Sequence, residues 1–180
     1  MKKKTNSRWL VRIVLISVAM SAIFTLVSSE ILGRAGYAVA FAALAVFIAI
    51  GIIFDIIGVA VTAAQEAPFH SMAAHRERGA AEALRLIKNA DKTASICNDI
   101  VGDVSGIVSG STAALIAARL MESIGAESII FPLLISGAVT GLVVGGKAAG
   151  KTLAFNNRTS IVLRVGKLVN VLRLKPGKRG

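Results

Sequence analysis

GLVVGGKAAGKTLAFNN, residues 141–157, can be read in two ways, and the choice decides the class of the whole protein. As a loop, Gly145–Thr152 fits G-x-x-x-x-G-K-T, whose backbone amides cradle phosphates while the lysine reaches the outer oxygens. As a helix, the same octet closes the apolar run FPLLISGAVTGLVVG, residues 131–145. That run is too long and too apolar for a buried strand. A phosphate loop must follow a short strand and open a helix inside a βαβ unit. Only 28 residues follow Thr152, too few for the rest of such a domain. The helical reading stands, and no nucleotide is expected as a partner.

The composition agrees with a membrane. Of 180 residues, 54% are hydrophobic and 17% charged, with a mean hydropathy of +0.71. Soluble domains carry about 25% charged residues. The apolar residues also come in blocks. Ile13–Ser29, Ala35–Phe54, Val104–Ala118 and Ser128–Gly146 contain no charge. Runs of roughly 18 or more are candidates to cross a bilayer. The third block reaches that length if Thr93–Asp103 joins it. The expected fold is all-α: a multi-pass integral membrane domain of about four membrane helices, a cytoplasmic helical segment and a C-terminal amphipathic juxtamembrane helix. Residues 1–34 read as an N-terminal anchor helix, 35–175 as the main membrane domain and 176–180 as a short basic tail. The first block is longer than a secretory h-region, and VSSEILG is a poor cleavage site, so the anchor reads as retained.

The net charge of +11 has a sidedness. Five basic residues precede the first block, five lie between the second and third, and nine follow Gly146. Only Arg34 and Arg119 fall in the opposite turns, so the division is 19 against 2. That is the positive-inside pattern, which puts both termini in the cytoplasm and the chain in the cell membrane. A nucleic-acid surface would interleave basic with aromatic residues, whereas the aromatics here sit in the apolar blocks, so nucleic acid is not expected. The single cysteine, Cys97, forms no intramolecular disulfide. His70 and His75, five apart, fall on different helix faces and do not suit one metal. No nucleophile–base pair stands out, so no enzyme is expected.

Two glycine series recur every four residues: Gly102, Gly106 and Gly110, then Gly137, Gly141 and Gly145. Small residues at that interval let membrane helices approach closely, on each other or on a second protomer. Segment His70–Ala90 is polar, with Ala83, Leu84 and Ile87 at helical spacing, and reads as a helix near the membrane. The segment after Lys151 reads as a basic amphipathic helix in the inner interface.

The ionisable residues in the apolar blocks bear most on function. Asp55, Asp99 and Asp103 lie inside or at the edge of spans, and Lys147 ends the last one. A charge at mid-bilayer costs about 3 kcal/mol on insertion scales, so such residues pair, face a bundle interior or mark an ion path. Asp99 and Asp103, with Asn98, make an oxygen-rich cluster suited to a hard cation. The alternatives are an ion pair with Lys147 or Lys151, or a boundary position in water.

Three stretches resemble the membrane domain of the CNNM/CorC/CorB (cyclin-M-like) magnesium transport family. TAAQEAPFHSM (Thr62–Met72) looks like the family's small-residue segment after a span. LRLIKNADKTASICNDIVGDV (Leu84–Val104) is similar to its asparagine-bearing run. GGKAAGKTLAFNN (Gly145–Asn157) is similar to its G-E-(I/L)-(I/L/V)-P-K-T-L-A ending. The resemblance implies a homodimeric helical domain acting on divalent cations, here without the CBS-domain pair that follows in most members. It also implies a magnesium site made from a hydroxyl, an asparagine and a glutamate. Residue by residue, the asparagine pair falls on Asn98 and Asp99, the hydroxyl position near Thr62 and Ala64, and the second-shell asparagine on Gly102. The glutamate is Lys147 and the proline after it Gly150. A lysine there repels a cation and can occupy its place. The expected function is therefore that of a relative of magnesium/cobalt efflux proteins with a degenerate ion site. The other reading is a non-transporting structural or regulatory module that binds a partner.

The basic asymmetry makes a topological prediction. With Cys97 replaced by serine, cysteines introduced at Gly180 and at Ser123 should differ. An impermeant maleimide added outside intact cells should label only the second. Outside labelling at position 180 rules out both ends being cytoplasmic.

Overall fold

The structure is a computed structural model that describes residues 7–34, 36–125 and 130–174. Among these residues there are seven helices and no strand. They are α1 (Ser7–Arg34), α2 (Tyr37–Ala63), α3 (Glu66–Ala74), α4 (Ala80–Lys88), α5 (Ala90–Ile124), α6 (Ile130–Asn156) and α7 (Arg158–Leu174). Helices α2, α5 and α6 are long and apolar enough to cross a bilayer, and the chain is a membrane protein. At 27 residues, α2 and α6 each run about 40 Å, more than the ~30 Å hydrocarbon layer.

Helix α1 forms where the sequence puts the first membrane helix; its 28 residues run about 42 Å, with the apolar stretch Val11–Val27 inside them. The segment between α2 and α5 is divided where the sequence suggested one helix. Helices α3 and α4 are separated by a turn in which Arg76 and Gly79 both have positive φ, 56° and 83°. The break expected at Pro68 falls earlier, at Gln65, and Pro68 sits in the first turn of α3. Its missing N–H has no intrahelical acceptor there, so nothing is lost. Asp55 lies in α2, and the Gly145–Thr152 octet lies wholly inside α6.

The chain resolves into two compact units. The first comprises Met1–Ile52 and Asp99–Lys147. Its core sets Ala40, Leu44 and Ile48 of α2 against Ala113 and Ile116 of α5, with Ile135, Val139 and Val143 of α6 against them. Helix α1 joins through Met20 and Phe24, which pack on Phe47, Val104 and Val108. The Phe24 and Phe47 rings meet edge to face at 5.6 Å and 79°. Such a pair is worth about 0.5–1.5 kcal/mol beyond its contact area. Gly51 brings the α2 backbone close to α5, where a Cβ would stand 3.2 Å from the Ser105 Cβ and 3.4 Å from the Gly102 carbonyl.

The second unit comprises Ile53–Asn98 and Ala148–Gly180. Its core is Ala60, Val61, Phe69, Ala83, Ile87, Ala154 and Val162. Of the positions expected to face inward on α4, Ala83 and Ile87 are buried and Leu84 packs against the same core. Helix α7 crosses the start of α4 at Gly79 and Gly166. A Cβ on Gly79 would lie 2.7 Å from the Lys167 Cα, and one on Gly166 would lie 3.1 Å from the Ala83 Cβ. Lys167 then donates to Glu77 at 3.3 Å beside the crossing.

The glycines therefore divide into two sets. Gly166→Ala should destabilise by about 1–3 kcal/mol, the range for overpacking a closed contact. Gly79→Ala adds the strain of its left-handed backbone. Gly141→Ala meets nothing within 4 Å and should be neutral or slightly stabilising, by up to about 1 kcal/mol of helix propensity. Thermal unfolding in detergent measures all three. Equal midpoints for Gly166→Ala and Gly141→Ala would refute the α4–α7 crossing.

Candidate functional site

The intramembrane acid expected at Asp55 is buried, with 6% of its surface exposed. Its Oδ2 has no hydrogen-bond partner among the described residues. Asp55, Gly58 and Thr62 stand at i, i+3 and i+7 and so share one face of α2. At Gly58, in the same unit, the Asn98 side chain presses on the helix. A Cβ there would lie 2.7 Å from Asn98 Cγ and 3.0 Å from its Nδ2. Asn98 Oδ1 is a second buried oxygen with no partner. Residues three apart on a helix are about 5–6 Å apart at Cβ. Asp55 is thus one helical turn from the residue that Asn98 covers. Two acceptors without donors form a region of negative potential, and burying them in that state is costly.

The local sequence explains how Asn98 comes to lie there. Ser95–Gly102, SICNDIVG, is a π-helical turn inside α5. Its Ser, Asn, Asp and β-branched residues are weak helix formers, and its last residue is glycine. A π-turn inserts a residue into the helical register and re-aims the side chains around it, and such turns recur at functional sites. Here Cys97 and Ile100 are buried, Asn98 is half-buried and Asp99 is exposed. The adjacent pair Asn98 and Asp99 is therefore split in environment: the amide is against α2 and the carboxylate is out.

Asp103 and Lys147 meet in the first unit. The Lys147 Nζ donates to Asp103 Oδ1 at 3.1 Å. The lysine side chain is the more enclosed, 19% exposed against 66% for the aspartate. Of the readings left open for Asp103, the structure adopts the ion pair with Lys147. Thr62 is exposed, and its hydroxyl donates back to its own helix, to Val59 O at 2.9 Å and Gly58 O at 3.3 Å. Its lone pairs remain available.

The glycine series do not close on each other. A Cβ at Gly110, Gly137, Gly141 or Gly145 would meet nothing within 4 Å, and one at Gly106 only Val143 Cγ1 at 4.0 Å. Gly102 is buried, with its carbonyl beside Gly51. The close approaches are made instead by Gly51, Gly58, Gly79, Gly146 and Gly166. Gly58 is the residue the sequence reading passed over, and a small residue one turn from an intramembrane acid was the available signal. Ser105 was also passed over: fully buried, with an unpartnered Oγ, it lies against Gly51 in the first unit.

Gly145–Thr152 forms no phosphate loop. It is helical throughout, so its amides are turned along the helix axis and not toward a common centre. His70 pairs with Glu66 at 3.3 Å on exposed α3. Among the described residues, no three His, Cys, Asp or Glu side chains are grouped to hold a metal. A cation at Asp55 would draw its other ligands from amide, hydroxyl and carbonyl oxygens and from water, which hard cations accept.

The Asp103–Lys147 pair carries its own prediction. Asp103→Asn and Lys147→Gln should each lower stability by about 0.2–1 kcal/mol if the pair is water-accessible, and by more if lipid surrounds it. The exchanged pair Asp103→Lys with Lys147→Asp should recover most of the loss. A double-mutant cycle on thermal midpoints in nanodiscs measures the coupling. Strictly additive single effects would show that the contact carries no energy.

Compared with known proteins, the chain matches no family model, no curated protein and no solved structure.

Proposed function

We propose that this membrane protein handles a hard divalent cation, as the resemblance to magnesium transport proteins implies, at a site formed by Asp55 and Asn98. One observation carries the reading: Asp55 Oδ2 and Asn98 Oδ1 are both buried and both unpartnered among the described residues of one unit. A carboxylate supplies charge and an amide carbonyl supplies a neutral hard oxygen. Magnesium keeps several of its waters and needs only one or two carboxylates, which suits a sparse protein shell. Asn98 belongs to the π-turn and packs against Gly58, with Oδ1 its nearest atom to that glycine.

The proposal extends to a homodimer in the cell membrane with both termini cytoplasmic. The open face of α6 carries small residues, a role that glycine or alanine fills alike, and so offers a second copy an approach. A second reading has its own support. Lys147 stands where the resemblance expects a glutamate, and it is neutralised by Asp103 at 3.1 Å. On that reading the ammonium has replaced the ion, and the domain is a structural or regulatory module.

Isothermal titration of magnesium chloride into the protein in nanodiscs separates the two. Wild type should bind, Asp55→Asn and Asn98→Ala should each reduce affinity at least tenfold, and Asp103→Asn should change it little. Tenfold corresponds to about 1.4 kcal/mol, a modest share for a ligand of a hard cation. Binding that appears only in Lys147→Glu would favour the blocked-site reading. No binding in any of these proteins would exclude a cation at this position.

A further inference from the structure

We propose that the outer face of α7, with Arg78, is a binding site for the phosphate headgroup of an anionic phospholipid. Helix α7 has two faces of different character. Its inner face, through Val162 and Gly166, closes on the second unit's core and on Gly79 and Ala83. Its outer face carries Arg164 and Lys167, and then Leu168, Val171 and Leu172. The last three are large apolar side chains left 61%, 56% and 63% exposed.

Beside this face is a cavity of about 650 Å³ lined by Glu77, Arg78, Lys167, Asn170 and Val171. Its size is in the range of small-molecule sites. Glu77 is occupied by Lys167 at 3.3 Å. Arg78 is exposed and has neither ion pair nor hydrogen bond among the described residues. The cavity therefore offers an uncommitted guanidinium, an ammonium, an amide and an apolar edge. The guanidinium fork matches two phosphate oxygens, and Asn170 can donate to a third.

Three features select a lipid over other anions. A soluble phosphate would leave Leu168, Val171 and Leu172 in water, whereas an acyl chain would cover them. Helix α7 follows α6 after one residue, Asn157, so it begins where a membrane-crossing helix ends. The face also carries cations without a free acid, so a second copy placed on it would oppose like charges. An anionic leaflet meets both halves of this surface at once. The inference does not depend on the cation reading.

The test uses the full chain purified in detergent, offered phosphatidylglycerol and phosphatidylcholine in equal amounts, with retained lipid read by native mass spectrometry. Wild type should retain phosphatidylglycerol in preference. Arg78→Gln should lower that retention roughly fivefold, the weight of about one charge at an anionic surface. Because Arg78 has no structural partner, its thermal midpoint should not move. Lys167→Gln should lower retention as well, and Leu168→Ser with Leu172→Ser should weaken retention of both lipids. Sodium phosphate in excess should not displace the lipid. Equal retention of the two lipids by wild type would overturn the proposal, as would unchanged retention in Arg78→Gln. Displacement by phosphate would show a soluble-anion site instead. A change from dimer to monomer in the double serine variant, with lipid retention intact, would show an interface between copies.

Discussion

A peptide group without a hydrogen-bond partner costs several kcal/mol in hydrocarbon, and this constraint shapes the chain more than any single side chain does. It keeps the backbone helical through stretches that would leave a helix in water. Gly145–Thr152, with three glycines in eight residues, stays inside α6. SICNDIVG keeps its hydrogen bonds by widening to a π-turn instead of opening into a loop. Pro68 and Pro132 stand in the first turns of α3 and α6, where no acceptor waits for an N–H. Among the described residues left-handed backbone is confined to turns, at Arg76, Gly79 and Gly125.

With the backbone committed to helix, specificity passes to how closely helices approach. Lipid tails are as apolar as leucine, so side-chain hydrophobicity gives little net drive to assemble spans. Shape has to do it. Gly51 admits Ser105 and the Gly102 carbonyl in the first unit, and Gly58 admits the Asn98 amide in the second. In each case the glycine faces a polar group of α5. The same approach that tightens packing thus strips water from a hydroxyl and an amide, and leaves Ser105 Oγ and Asn98 Oδ1 without partners. A packed bundle with apolar residues at 98 and 105 would avoid that cost.

The helical membrane class was legible because block length and charge sidedness are properties of the sequence itself. The inward positions of α4 were legible for the same reason, since spacing alone puts Ala83 and Ile87 on one face. The break between α3 and α4 was not, because no residue pattern marks the positive φ of Arg76. The division of Asn98 from Asp99 was also not legible. It depends on a π-turn, and a π-turn shifts the register by one residue without a distinctive residue pattern. Whether the glycine stripes meet each other was not legible for a related reason. Periodicity marks a face that can approach closely, but it does not say whether anything does, and at Gly137, Gly141 and Gly145 no described residue does.

The charges give the last step. The chain has 21 basic and 10 acidic residues, so cations are plentiful. Yet two carboxylates that find them, Asp103 on Lys147 and Glu77 on Lys167, are partly exposed, where a pair is worth about 0–1 kcal/mol. The buried carboxylate, Asp55, has an oxygen with no partner, where a cation would matter most. Stability alone would place them the other way round, or would replace Asp55 with a residue such as leucine. A carboxylate that costs stability where it stands, with an amide oxygen of the same unit in the same condition, is what the proposed cation would compensate. A hard cation with its remaining water would take one oxygen from each residue, which is why the proposal rests on the pair more than on the acid alone.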